Sequence, residues 1–281
     1  MVSAAEHSAE RAWDIAMRDL SAGYGRRTVI DGLTARFPAG AVSVLLGESG
    51  CGKTTLLRVL LGLMKPSAGA LDVGGRDVFA LPDKEFRRLR RNFGVLFQDG
   101  ALLGSLTVAE NVALPLAEHT GLGASAIRRA VTDTLDLVGL GHAADLYPGE
   151  LSGGMKKRAG LARAIILEPP VLFCDEPTSG LDPIISSRMN RLILDMHAFY
   201  PDMTTVLITH DMESVRTVAD HVLLLKDGRC GFNGPAADFL ASDDPYIREF
   251  VSGKASETGQ MRTPHADPAV RSALDEWLGR S

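Results

Sequence analysis

The sequence predicts an α/β fold with three parts: a mostly parallel sheet core, an antiparallel β-subdomain in the first forty residues and an inserted α-helical subdomain. Three observations predict it. Compact apolar runs recur at residues 41–46, 171–174, 205–208 and 222–225, each short enough for a buried strand. Helical patterns lie between them, near residues 184–198 and 212–219, and strands alternating with helices build parallel sheets. Between about residues 99 and 166 the pattern is helical and strand-poor, which marks an insertion.

Taken in order, residues 14–37 alternate short apolar runs around a Gly23-Tyr24-Gly25 turn, and read as antiparallel strands. Residues 41–46 form a buried strand, followed by a glycine-rich loop and a helical pattern over 52–61. With 281 residues and 45% hydrophobic content, the chain can bury one large core with a subdomain. The expected division is a main domain over 1–253, its helical subdomain at about 99–166, and a linker and tail over 254–281. The stretch from Lys254 to Pro268 is polar and carries two prolines, as linkers do.

A net charge of −5 gives no reason to expect nucleic acid as a partner. Cys51, Cys174 and Cys230 lack metal-type spacing, and an odd, sparse count suits a reducing compartment. Residues 1–11 have no apolar core of the kind a signal peptide needs. No stretch approaches the ~18 apolar residues that span a bilayer, so a role at a membrane would come through a partner. Arg87, Arg88, Arg90 and Arg91, after Lys84, read as a solvated helix face rather than a headgroup patch.

Gly47-Glu48-Ser49-Gly50-Cys51-Gly52-Lys53-Thr54 matches the P-loop pattern, and it sits between a strand and a helix as that pattern requires. Its glycines let successive N–H groups face phosphates, and the following helix adds its positive dipole end. Lys53 would reach the β- and γ-phosphates, and Thr54, followed by Thr55, would offer a hydroxyl to Mg²⁺. The core is thus expected to be a RecA-like P-loop NTPase. The loop alone leaves kinases, GTPases and ATPases open. Cys51 within it is a small residue the loop tolerates or a redox switch, and nothing in the sequence lowers its thiol pKa.

Two acids, Asp175 and Glu176, end the apolar run at 171–174. Carboxylates at a buried strand end need a cation or a proton. Asp175 is placed to meet the metal, and Glu176 to polarise an attacking water as general base. A second glycine-rich segment, Leu151-Ser152-Gly153-Gly154-Met155, precedes a helical stretch, with Ser152 as its N-cap. That makes two anion sites in one chain. The economical reading is that Ser152, Gly153 and Gly154 serve the phosphates held by a facing subunit.

This segment resembles the ABC signature, Leu-Ser-Gly-Gly-Gln, and over residues 15–251 the chain is identified as similar to ATP-binding subunits of ABC transporters. The resemblance implies further roles. Tyr24 stands where an adenine-stacking aromatic belongs. Phe97-Gln98 looks like the Q-loop, with Gln98 contacting Mg²⁺ and the attacking water. Ser179-Gly180-Leu181-Asp182 resembles the D-loop, which puts Asp182 at the nucleotide. Thr209-His210-Asp211 carries the switch histidine, His210, expected at the γ-phosphate. The other six histidines read as surface residues. Met155 departs from the family pattern, because a thioether cannot donate the hydrogen bond that glutamine would.

Finer likenesses follow. Asp99-Gly100-Ala101-Leu102-Leu103, Ser105-Leu106-Thr107-Val108, Glu110-Asn111-Val112, Leu114-Pro115-Leu116 and the Met155 variant are similar to the ATPases of Mla/MCE lipid-transport systems. That resemblance implies a homodimer bound peripherally at the cytoplasmic face of the inner membrane. It also implies an integral-membrane permease, a STAS-domain regulator and an MCE-domain lipid-binding protein. The rival functions are a polar-solute importer ATPase and a soluble ABC protein. In the tail, Val270, Leu274, Trp277 and Leu278 recur at helical spacing and predict a short helix with one apolar face. The polar linker could extend roughly 45 Å at ~3.3 Å per residue, enough to let that helix dock on the facing subunit.

Overall fold

The computed structural model describes residues 12–252 and 268–278. The stretch read for a signal peptide, 1–11, and the linker, 254–267, lie outside the described residues. Strands β1 (Ile15–Tyr24) and β2 (Arg27–Phe37) pair antiparallel, with Tyr24 opposite Arg27. The turn therefore falls at Gly25 and Arg26, one residue beyond the turn read from the sequence, and Gly23 lies in the ladder opposite Thr28. β4 (Ala68–Val73) pairs with the other side of β1, and β5 (Arg76–Asp77) completes this antiparallel sheet in the order β2-β1-β4-β5.

The second sheet has six strands: β3 (Val42–Gly47), β6 (Phe93–Leu96), β7 (Val171–Asp175), β8 (Thr204–Ile208), β9 (His221–Lys226) and β10 (Arg229–Pro235). Their order is β10-β9-β3-β8-β7-β6, and all neighbours but β10 and β9 run parallel. β3 and β8 are buried at every residue, which is why their sequences read as continuous apolar runs. The sequence reading missed β4, β5, β6 and β10. β5 and β6 are too short to show a period, and β10 carries Gly231, Gly234 and Pro235, which belong to edge strands. Five parallel strands bring Gly47, Leu96, Asp175 and Ile208 to one edge of the sheet. Loops at that edge are where open α/β sheets take ligands.

The helices are α1 (Lys53–Leu60), α2 (Asp83–Arg90), α3 (Val108–His119), α4 (Ala124–Leu137), α5 (Gly153–Ile165), α6 (Pro183–Phe199), α7 (Met212–Val218) and α8 (Ala236–Leu240). α1 buries Leu56, Leu57, Val59 and Leu60 in the main core. α3, α4 and α5 fall between β6 and β7 and share a separate apolar core that includes Val112, Leu116, Leu135, Leu140 and Ala159. Thr107 and Glu110 form a reciprocal capping box at the start of α3. Asn111, fully buried, donates to the carbonyls of Leu103, Leu106 and Thr107 and accepts from the Leu103 N–H, so it pins the loop leading into α3. On α2 only Leu89 is buried, and Arg90 rests over the Phe86 ring at 5.4 Å, so the basic run is a solvated face.

The chain divides into two compact units, residues 1–241 and 242–281. The second contains α9 (Pro245–Ser252) and α10 (Pro268–Trp277). In α9, Tyr246 and Phe250 meet edge to face at 5.3 Å. The tail helix forms where its periodicity places it. Val270 and Leu278 are exposed, and Trp277 is 81% exposed. Among the described residues no helix is long and apolar enough to cross a membrane.

Candidate functional site

The loop from Gly47 to Gly52 leaves β3 and enters α1. Gly47 has φ 155, and a Cβ there would collide with the Leu225 carbonyl oxygen. Gly52 has φ 114, and a Cβ there would lie 2.7 Å from Ile30 Cδ1. Both positions therefore require glycine. Gly52 caps α1 without any side-chain hydrogen bond, so the first N–H groups of α1 face the loop unclaimed by a cap. Lys53 Nζ donates to the carbonyls of Gly47 at 2.6 Å and Glu48 at 2.9 Å, which holds the ammonium in the mouth of the loop. Cys51 N–H donates to Glu48 O at 3.3 Å and Cys51 O accepts from Gly228 N–H at 3.1 Å, tying the loop to the turn after β9. Burial pushes the Cys51 thiol above its ordinary pKa, the opposite of a reactive thiolate. Thr54 is exposed and Thr55 buried.

Asp175 closes β7 beside this loop. Burial first, then the Glu176 carboxylate, push its carboxyl above the ordinary aspartate range, while Lys53 and Lys157 pull it back. Glu176 stands just past the strand with φ 48, a left-handed conformation uncommon for a residue with a side chain. Its N–H donates to Ile208 O at 2.9 Å, fixing it to the neighbouring strand. Glu176 Oε1 lies 2.9 Å from His210 Nδ1, and Glu176 Oε2 is buried with no hydrogen-bond partner. The carboxylate is thus held by one oxygen and leaves the other free to accept. His210 is exposed. Asp211 next to it caps α7 through the Glu213 N–H and accepts from Ser214 Oγ at 2.7 Å, which anchors the histidine's backbone.

Ser152 is the N-cap of α5, its Oγ accepting from Met155 N–H at 3.3 Å. Ser152 and Gly153 are exposed, and Gly154 packs so closely on α6 that a Cβ would lie 2.9 Å from Ile185 Cγ2. The Met155 side chain packs against the apolar core of the helical segment, where a thioether is better accommodated than an amide. At the same sheet edge, Gln98 is exposed two residues after the end of β6. Arg163 holds the loop behind it, donating to Gly100 O at 3.0 Å and Ala101 O at 2.9 Å.

The structure thus brings Lys53, Asp175, Glu176 and His210 to one edge of the sheet. Tyr24 stands on the antiparallel sheet, held by Arg58, which donates to its hydroxyl at 2.7 Å and lies 6.0 Å from its ring centroid. Asp182 is occupied locally: its Oδ1 accepts from the N–H groups of Ile184 and Ile185, capping α6. Sequence reasoning missed Arg58, Arg163 and Lys157. Lys157 is buried, and donates to Glu176 O and Ser179 O. The signal for it was present, since Lys157, Leu161 and Ile165 fall on one helical stripe.

Comparison with known proteins bears on the family and the fold. The ABC transporter family profile matches residues 30–179. The chain is 44% identical over 240 residues to the probable ribonucleotide transport ATP-binding protein mkl of Mycobacterium leprae (strain TN), covering 85% of this chain and 69% of that protein. It is 39% identical over 251 residues to the intermembrane phospholipid transport system ATP-binding protein MlaF of Escherichia coli (strain K12), covering 89% of this chain and 93% of MlaF. It is 46% identical over 220 residues to the methionine import ATP-binding protein MetN of Cereibacter sphaeroides, covering 78% of this chain and 62% of MetN. Among solved structures, CbiO1 from Clostridium perfringens, part of the ABC transporter complex CbiONQ, superposes with a TM-score of 0.75 at 27% identity, covering 93% of this chain and 98% of that one. The dimeric ATP-binding cassette MJ0796 bound to ADP and Pi gives 0.72 at 26% identity, covering 79% and 98%. The phosphate loop, the acid pair at the strand edge and these likenesses lead to one conclusion: the chain belongs to the ABC transporter family, as an ATP-binding subunit that hydrolyses ATP.

Proposed function

We propose that this subunit powers phospholipid movement through an integral-membrane permease, as half of an ATPase homodimer bound peripherally to the cytoplasmic face of the inner membrane. The observation that carries the lipid reading is the extent of the likeness to MlaF, which spans 93% of that protein. The match to MetN covers 62% of MetN. The dimer reading is supported by the dimeric MJ0796 cassette, and the permease reading by CbiO1, which works within a transporter complex. A groove of about 440 Å³, lined by Phe97, Leu103, Leu114 and Pro115, opens next to Gln98. Phe97 and Leu103 are exposed there, as an apolar patch kept for a partner would be. A STAS-domain regulator and an MCE-domain lipid carrier complete the proposed assembly.

Within the subunit, Tyr24 stacks on adenine, and the loop from Gly47 to Thr55 cradles the phosphates, with Lys53 at the β- and γ-positions. Ser152, Gly153 and Gly154 present backbone donors to the ATP held by the facing copy, with Asp182 at the same dimer contact. Glu176 Oε2, unpartnered and on a fixed backbone, accepts a proton from the attacking water as the water oxygen bonds to the γ-phosphorus and the bond to the bridging oxygen breaks, releasing ADP and phosphate. His210 Nδ1 lies 2.9 Å from Glu176 Oε1, so the imidazole is held beside the general base.

The residues present fit Mg²⁺. The Asp175 carboxyl is pushed up by burial and by Glu176, and a divalent cation relieves both pressures. Thr54, Gln98 and Asp175 would hold it. No cluster of three or more acidic, histidine or cysteine residues suited to a metal exists among the described residues. None is needed, because Mg²⁺ is ordinarily held by one or two protein groups, water and the substrate's phosphates. When bound, Mg²⁺ neutralises phosphate charge.

The polar-solute reading has one observation in its favour, the likeness to MetN. The test purifies the complex from membranes of the native host in mild detergent and identifies its subunits and bound small molecules by mass spectrometry. The lipid reading predicts a hydrophobic permease subunit with retained phospholipid, and ATP hydrolysis stimulated by phospholipid. Stimulation by an amino acid or another polar solute, with no lipid retained, would overturn it.

A further inference from the structure

Lys157 is 5% exposed. It belongs to α5, the helix whose first turn carries Ser152, Gly153 and Gly154. Its side chain is buried, and its ammonium donates to Glu176 O at 2.8 Å and Ser179 O at 2.6 Å. Those carbonyls bracket one tight turn, which Ser179 N–H also closes onto Glu176 O at 3.2 Å. The turn holds Glu176 at φ 48, a strained conformation that persists only when its surroundings fix it. Two anchors do so: Ile208 O accepts the Glu176 N–H, and Lys157 grips the Glu176 carbonyl. A lysine is costly in such a place, since burial disfavours its charge and an apolar side chain would fill the same volume without that cost. The carboxylates of Asp99, Asp175 and Glu176 supply part of the compensation.

We propose that Lys157 is a positioning residue for ATP hydrolysis: it fastens the helix that bears Ser152 to the turn that bears Glu176, and so sets the aim of the Glu176 carboxylate. A displacement of α5 at its glycine end is then transmitted to the hydrolytic turn of the same chain through two hydrogen bonds. The inference rests on the reading of Glu176 as general base.

The test measures phosphate release and Mg·ATP affinity in the intact transporter complex carrying Lys157→Met, Lys157→Arg or Glu176→Gln. Lys157→Met keeps the length and volume and removes every donor. It is expected to lower kcat at least about tenfold while leaving ATP affinity within about twofold, since two charge-assisted hydrogen bonds are lost away from the nucleotide. Lys157→Arg, which keeps the donors, is expected to recover most of the lost kcat. Lys157→Met at near-normal kcat would overturn the proposal. So would a parallel loss of ATP affinity and kcat, or a Lys157→Arg variant no better than Lys157→Met. Glu176→Gln separates the two ideas: if it keeps full kcat, the reading of Glu176 fails, and if it alone is inactive while Lys157→Met is normal, only the role of Lys157 fails.

Discussion

α1, capped by Gly52, and α5, which begins at Gly153, each present an end suited to anions, yet they are built on opposite plans. At α1 the cap is Gly52 in a left-handed conformation, with no side chain taking the first N–H groups and Lys53 folded into the mouth of the loop. At α5 the cap is Ser152, whose hydroxyl already takes the Met155 N–H, and the buried lysine of that helix is engaged by the Glu176 carbonyl. The first end holds its own cation and stands beside Asp175 and Glu176. The second offers exposed serine and glycine, Ser152 and Gly153. We read the first end as a phosphate cradle and propose that the second is half of a site, useful when the ligand is held by a different copy of the chain.

That contrast can be broken most severely at the hydrolytic edge. Glu176→Gln keeps the shape and removes the proton acceptor. It is expected to cut turnover about 10²- to 10⁴-fold with ATP still bound, measured as phosphate release by the full complex. Lys53→Ala removes the cation that distinguishes the α1 end. ATP binding to the isolated chain is expected to weaken about 10- to 100-fold, because hydrogen bonds to charged groups are worth ~1.5–3 kcal/mol. Ser152→Arg, at the other end, is expected to leave that single-chain affinity unchanged, by titration with a fluorescent nucleotide. Equal losses from the two variants would mean that both ends serve one nucleotide.

A smaller effect comes from Asp175. Its folded-state pKa lies above the ordinary value, so the folded state holds the proton more tightly than the unfolded chain. Stability from this group is fully present below the ordinary aspartate pKa and is lost as pH rises through the raised one. Asp175→Asn is therefore expected to raise the Tm of the nucleotide-free chain at neutral pH, with the gain disappearing in acid. A gain that is constant across pH would contradict the assignment. The least effect on the folded chain is expected from Trp277→Ala. The side chain is exposed, so monomer stability should change by no more than about 0.5 kcal/mol. If the tail helix docks on the facing subunit, dimer retention on a sizing column should fall nonetheless, since buried tryptophans are common interface anchors.

Much of this was legible in the sequence, for identifiable reasons. β3 and β8 have both faces covered, so their residues form uninterrupted apolar runs, and the phosphate loop sits between one of them and α1. Ser152 as a cap followed from a serine before paired glycines and a helix. The pairing of Glu176 with His210 was not legible. It spans 34 residues and exists because β7 and β8 run parallel with Asp175 in register with Ile208. Lys157 escaped because lysines are ordinarily solvated, and only its register with Leu161 and Ile165 hints at burial. The capping role of Asp182 was readable in its position just before Pro183 and α6, but the resemblance drew attention to the nucleotide instead.

The most direct test of the two helix ends uses mixed dimers in the assembled transporter. In one, a copy carries Lys53→Ala and its partner carries Ser152→Arg. In the other, both changes sit in the same copy and the partner is unaltered. If each ATP is held by the Lys53 end of one copy and the Ser152 end of the other, the first dimer concentrates both defects in one site and keeps one site intact. The second damages both sites. The account predicts one tightly bound ATP per dimer, with residual hydrolysis, in the first arrangement and neither in the second. Identical ATP binding and hydrolysis in the two dimers would contradict it.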